Sequence, residues 1–122
     1  MRASISAAML NLPIRQPDST WLFEFKFPAD DPLFAGHFPG HPLLPGVFQL
    51  EMTRTCAQVI IGQTLDLQEI IKAKFLRPIV PGETIRLSLK LSEEAGTIQA
   101  RAILAAGGQT AGEALVKLCR SA

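Results

Sequence analysis

Residues 34–51 read FAGHFPGHPLLPGVFQLE, and this stretch decides the fold of the chain. Its prolines and glycines exclude a regular helix or a central strand at the start, so His37 and His41 are predicted to lie on a loop. Pro45 suits the first position of a helix, and apolar residues recur at helical spacing from Gly46 onward. The stretch therefore predicts a loop that leads directly into a helix, whose free N–H groups face that loop.

The predicted helix runs from about Gly46 to Ile61, with Gly62 as its C-cap. Most of its residues are apolar, so we expect the helix to be largely covered. Arg54 and Gln58 are expected to mark its less buried side.

Strand patterns lie on both sides of this helix. Residues 20–27 alternate aromatic and other side chains, which is typical of a strand with one face in the core. Four more strands are predicted at 68–77, 84–91, 97–104 and 109–120, separated by turn residues that suit antiparallel hairpins. The first 19 residues are expected to be irregular. The pattern predicts an α+β fold, one helix laid on an antiparallel sheet, in a single domain over residues 1–122.

Two titratable residues frame the helix start. His37 lies in the loop before it, and Glu51 lies about one turn inside it, where a carboxylate needs a partner or a proton. A histidine can remove a proton next to a substrate carbonyl, a helix N-terminus can stabilise the enolate oxygen, and a carboxyl group can act on a leaving hydroxyl. Together these groups suit a β-elimination of water.

Two motifs carry a family resemblance. Residues 37–51, HFPGHPLLPGVFQLE, resemble the signature of the 3-hydroxyacyl-(acyl-carrier-protein) dehydratases of the hotdog fold. Residues 73–83, AKFLRPIVPGE, resemble the strand and turn of the same family. The resemblance extends over roughly residues 20 to 120.

This resemblance implies a hotdog fold, in which the antiparallel sheet wraps around the central helix and two subunits join their sheets. It implies that His37 is the base and that Glu51, from the partner subunit, protonates or orients the leaving C3 hydroxyl or holds water in the reverse reaction. The backbone N–H of Gly46 would hold the thioester carbonyl. The other substrate-binding positions would be Val47, Phe38 and Pro39.

The chain departs from the family pattern at one position near the acid. Thr55 stands where the resembling enzymes usually carry a glutamine that supports the acid, so Thr55 is predicted to take that role with less reach. Together with a short N-terminal region, this suggests a specialised relative in fatty-acid, polyene or polyketide-like biosynthesis.

An acyl carrier protein is the expected partner, and basic residues near the site would contact it. The candidates for that contact are Lys72, Lys74, Arg77 and Arg86; a solvated charged face explains each of them equally well. His37 and His41 have a metal-like spacing, but the prolines and glycine of this loop remove the helix that such a site needs, so no metal site is predicted. The implied chemistry requires no metal or redox cofactor.

Composition limits the remaining possibilities. A chain of 122 residues with a formal net charge of +1 does not fit a dedicated nucleic-acid binder. No apolar run is long enough for a membrane span, so a cytoplasmic protein is expected, with Cys56 and Cys119 as buried thiols. Two alternatives stay open: a hotdog thioesterase, and a non-catalytic acyl-binding partner.

Overall fold

Six strands form one antiparallel sheet, and a long helix lies against it. The structure is a computed structural model that describes residue 5 and residues 7–28 and 46–121. The elements are β1 (Ile14–Arg15), β2 (Trp21–Lys26), α1 (Gly46–Ile61), β3 (Leu65–Phe75), β4 (Thr84–Glu94), β5 (Thr97–Ala106) and β6 (Gln109–Arg120). The strand order in the sheet is β1-β2-β4-β5-β6-β3, which leaves β1 and β3 at the edges. This is the predicted α+β hotdog architecture.

Aromatic and aliphatic side chains fill the space between sheet and helix. The predicted alternation of β2 is confirmed, since Phe23 and Phe25 are fully buried and their rings stack 6.4 Å apart. Phe48 of α1 meets Phe27 edge to face at 5.6 Å. Burying each such side chain contributes about 1.5–3 kcal/mol, so these rings fix the helix start against β2.

The helix and most of the strands agree with the sequence-based expectations. The helix has the predicted bounds, and Gly62 follows it with a φ of +78° while its N–H donates to the carbonyl of Gln58 at 2.8 Å. The turn between β5 and β6 uses Gly107 and Gly108, both at positive φ, as a tight antiparallel hairpin requires.

Strand β3 differs from its prediction because it begins at Leu65, three residues earlier than expected. Its pairing with β6 shifts register twice, between Leu67 and Glu69 and between Ile70 and Lys72. Each shift inserts an extra residue and breaks the alternation of faces. A period-two pattern could therefore not reveal the full length of this strand.

The N-terminal segment is less irregular than the sequence indicated. Strand β1 pairs with β2 through Ile14 and Leu22, Met9 forms an isolated bridge with Phe25, and the side chain of Ile5 is fully buried. The expectation of an irregular segment is corrected for these residues. A two-residue strand is too short to produce a detectable periodicity.

Two further expectations concern the cysteines and the membrane. Both cysteines are free thiols; Cys56 is fully buried, whereas Cys119 is half-buried. Burial strongly raises the pKa of the Cys56 thiol. Within the ranges that the structure describes, no helix has both the length and the apolar composition needed to cross a membrane.

Candidate active site

One side of α1 carries a polar stripe formed by Glu51, Arg54, Thr55 and Gln58. These residues share a helix face because each lies three or four positions from two others in the set. Beside this stripe, the helix buries Phe48, Met52 and Cys56 in the core. Toward the end of the helix, the stripe borders an open depression of about 330 Å³, which is lined by Thr55, Gln58, Val59, Gly62, Gln63 and Thr64.

Glu51 is held by a two-point contact from Arg54. The Arg54 Nε donates to Glu51 Oε2 at 3.0 Å, and the Arg54 Nη2 donates to the other carboxylate oxygen, Oε1. The side chain of Glu51 remains 22% exposed. Glu51 is therefore both oriented by a cation and accessible from the side of the helix that the core does not cover.

Arg54 is anchored on its far side as well. Its Nη1 donates to Gln58 Oε1 and to the backbone carbonyl of Leu65, each at 2.8 Å. The Gln58 Oε1 also accepts from the N–H of Leu65 at 2.9 Å. Arg54 is only 7% exposed, so the expectation that it marks a less buried side of the helix is wrong. Its partners at the start of β3 replace the water that its charge would otherwise require.

Thr55 does not take the role predicted for it in the described part of the chain. Its Oγ1 is buried and has no hydrogen-bond partner there, while the carboxylate of Glu51 binds the guanidinium of Arg54 instead. The sequence signal for this ion pair is the spacing of three residues from Glu51 to Arg54, because residues three apart on a helix are neighbours.

The helix start lies against an aromatic ring of β3. A Cβ atom on Gly46 would lie only 2.6 Å from Cε2 of Phe75, so a side chain at position 46 would force this ring to move. Val47, the next residue, is 64% exposed. Gly46 and Glu51 are five residues apart, which corresponds to about 7.5 Å along the helix axis.

The four predicted carrier-protein contacts do not share one environment. Lys72 and Lys74 lie on exposed strand β3, where they pair in register with Leu115 and Glu113. Arg77 forms an ion pair with Glu83, to which its Nη2 donates at 2.7 Å. Arg86 is highly exposed and lies 3.8 Å from Glu24 on the far side of the sheet. Of these four residues, only Lys72 and Lys74 therefore lie on the same strand.

The remaining predicted site residues, His37, Phe38 and Pro39, lie outside the described residues, as does His41. Their predicted roles stay predictions. The described part of the site consists of the helix start at Gly46 and Val47 and of the polar stripe.

Comparisons with known proteins agree with this architecture. The model of the ApeI-like family, described as ApeI dehydratase, matches residues 13–112. The 3-hydroxyacyl-(acyl-carrier-protein) dehydratase FabZ of Haemophilus influenzae (strain 86-028NP) is 31% identical over 113 residues, covering 84% of this chain and 76% of that protein. The FabZ of Acidiphilium cryptum is 35% identical over 79 residues, which cover 57% of this chain and only 48%, about half, of that relative.

Among solved structures, the dehydratase heterocomplex ApeI:P from Xenorhabdus doucetiae contains a chain that matches with a TM-score of 0.75 and 28% identity. The match covers 92% of this chain and 96% of the Xenorhabdus chain. The similarity therefore includes nearly the whole of both chains.

Proposed function

This chain belongs to the ApeI-like dehydratase family, and from that premise we propose that it removes water from 3-hydroxyacyl thioesters to give trans-2-enoyl thioesters. The observation that carries the proposal is the placement of Glu51, oriented and accessible, about one and a half turns from the helix start at Gly46. The relatives with dehydratase names support the same reaction.

In the proposed reaction, His37 removes a proton from C2 of the acyl group. The negative charge moves to the thioester oxygen, which accepts a hydrogen bond from the backbone N–H of Gly46 and is favoured by the positive end of the helix dipole. Glu51 contacts the C3 hydroxyl, which leaves as water. Val47, Phe38 and Pro39 would line the path of the acyl chain. These steps use proton transfer and hydrogen bonds, so the proposal includes no metal or redox cofactor.

The proposed assembly is a homodimer in which His37 of one chain faces Glu51 of the other. Strand β3 supports this assembly because every residue after Leu65 is exposed although the strand belongs to the sheet. Apolar side chains along it, namely Leu67, Ile70, Ile71 and Phe75, are 40–50% exposed. An open apolar edge strand is a ready surface for pairing with a second sheet, so two copies of β3 would join there.

An acyl carrier protein is the proposed substrate carrier, since the name of the FabZ relative describes it as a dehydratase of 3-hydroxyacyl groups on acyl carrier protein. Lys72 and Lys74 are the proposed contacts, because neither forms a salt bridge with another described residue. Arg77 pairs with Glu83, so the proposal assigns it to the turn after β3 and not to carrier binding.

The test is hydration of a trans-2-enoyl thioester, followed by the loss of enoyl absorbance, on carrier-protein and coenzyme A substrates. A thiol reagent in parallel detects hydrolysis. We expect hydration without thiol release, and a loss of roughly a hundredfold in His37→Ala, the size expected for a missing general base.

His41→Ala is the matched control. It removes a second histidine of the predicted loop, one to which no role is assigned, and should retain wild-type activity. Release of thiol by the wild type would support a thioesterase instead. Binding of the thioester without either reaction would support the acyl-binding alternative and contradict the proposal.

A further inference from the structure

We propose that Arg54 is a positioning residue that fixes the carboxylate of Glu51 toward the substrate hydroxyl. This inference rests on the proposed function, since it assigns a role to Glu51 in the elimination of water. It goes beyond that function because Arg54 itself contacts neither the substrate nor the reacting atoms.

The first argument is geometric. A guanidinium group is planar and rigid, and it matches the two oxygens of a carboxylate with two parallel N–H groups. Arg54 uses Nε and Nη2 in this way on Glu51. A single hydrogen bond would leave the carboxylate free to rotate about it, whereas the two-point contact fixes its plane.

The second argument concerns what holds Arg54 itself. Its Nη1 binds the Leu65 carbonyl and Gln58 Oε1, both at 2.8 Å, so the guanidinium is anchored to the backbone at the start of β3. The hydrogen bonds that Arg54 donates to Glu51 raise the pKa of Arg54 above its ordinary value, which keeps the cation charged despite its burial. The position of the carboxylate is thereby tied to the sheet and not only to the helix.

The pairing with Arg54 also bears on which role Glu51 has, that of protonating the leaving C3 hydroxyl or that of orienting it. Both oxygens of the Glu51 side chain accept hydrogen bonds from Arg54, so the role that the proposal gives Glu51 is to accept a hydrogen bond from the C3 hydroxyl and orient it. The proton that His37 takes from C2 is then the one that joins the departing hydroxyl, and the C3–O bond breaks as the C2–C3 double bond forms. One proton and one hydroxyl leave as water, and His37 returns to its neutral form.

The test is a double-mutant cycle with Arg54→Met, Glu51→Gln and the double variant. We expect Arg54→Met to reduce kcat by about tenfold to a hundredfold, the cost of a misplaced catalytic group, with little change in KM. In the Glu51→Gln background the same substitution should cause no further loss, because Arg54 acts through Glu51. Arg54→Lys keeps the positive charge but loses the two-point contact, so its kcat should lie between those of the wild type and Arg54→Met.

Arg15→Met is the matched control. It removes an exposed arginine of β1 that lies over the ring of Trp21 at 5.9 Å, at the edge of the sheet opposite to β3, and should leave kcat unchanged. Circular dichroism and Tm show which variants are folded. If Arg54→Met does not fold, Arg54→Lys and its combination with Glu51→Gln complete the cycle. Wild-type kcat in a folded Arg54 variant, or independent losses that multiply in the double variant, would overturn the proposal.

A second readout separates this inference from the proposed function. In the wild type, the Nε–H of Arg54 should give a protected signal in a ¹H–¹⁵N NMR spectrum, and Glu51→Gln should shift that signal. If the wild type lacks hydratase activity, the proposed function fails, and the positioning role of Arg54 fails with it. A signal that shifts in Glu51→Gln would in that case still show the contact between Arg54 and Glu51. An unchanged signal contradicts the contact itself, whatever the activity.

Discussion

At the scale of single residues, an ion pair holds the turn that follows β3. Arg77 donates from Nη1 and Nη2 to the two oxygens of Glu83, and the N–H of Val80 donates to Glu83 Oε1 at 2.9 Å. The hydrogen bond from Arg77 is the main cause that lowers the pKa of Glu83. The basic and acidic residues of the second family-like motif therefore stabilise the turn.

This ion pair predicts a pH-dependent stability. Because the pKa of Glu83 is lowered in the folded state, its stabilising contribution is complete above the ordinary carboxyl value of about 4.3. The contribution is lost as the pH falls through the lowered value. Glu83→Gln should therefore reduce Tm at pH 7, and the difference from wild type should vanish in acid.

Glu93→Gln is the control, since its partner Arg120 and Glu93 itself are largely exposed and such pairs contribute little. Thermal unfolding from pH 7 to pH 3 measures both variants. A Glu83→Gln deficit that persists unchanged at pH 3 would contradict the assignment of the pKa shift to Arg77.

The sequence predicted the site residues unevenly at this scale. Glu51 stands out because a carboxylate on an apolar helix needs a partner. The resemblance indicates Thr55 as that partner, and Arg54 is expected on a less buried side of the helix, whereas the structure buries it. The Leu65 carbonyl that makes its burial possible comes from another element, and residue spacing alone could not show it.

At the scale of elements, the contact between α1 and β3 sets the approach to the helix start. Phe75 of β3 covers Gly46 so closely that a methyl group at position 46 must displace the ring. Edge strand β3 thus packs directly against Gly46, whose backbone N–H is the candidate donor to the thioester oxygen. Phe75 itself is half exposed, so its ring also borders the space outside the chain.

This packing predicts the effect of Gly46→Ala. The added methyl group should destabilise the fold by about 1–3 kcal/mol, the usual cost of overpacking, and lower the hydration rate. Phe75→Ala removes the ring, so Gly46→Ala should be better tolerated in that background. Denaturant unfolding of the four proteins in this cycle measures the coupling, and strictly additive losses would show that the ring does not restrict position 46.

The predictability of each element followed the strength of its local pattern. α1 and β6 have their predicted bounds because helical spacing and double-glycine turns are visible in the sequence. Two register shifts hid the first residues of β3. Strand β1 consists of two residues between Pro13 and Pro17, and its pairing with β2 is a long-range contact that no local pattern reports.

At the scale of the whole molecule, the chain leaves exposed the surfaces that the proposed dimer would use. Glu51 of the polar stripe is 22% exposed, and the outer edge of β3 has no neighbouring strand within the described residues. The hotdog fold was predictable from one helix, several hairpins and the two motifs. The assembly was implied only by resemblance, because one sequence contains no record of contacts between copies.

The most direct measurement of the central claim uses a mixed dimer. His37→Ala and Glu51→Gln chains with different affinity tags are coexpressed, and the heterodimer is purified through both tags. If the site combines His37 of one chain with Glu51 of the other, each heterodimer contains one intact site and one doubly altered site. Hydration of a trans-2-enoyl thioester should then proceed at about half of the wild-type rate per dimer, while both parent homodimers are nearly inactive. A heterodimer as inactive as its parents would contradict a dehydratase site shared between two chains.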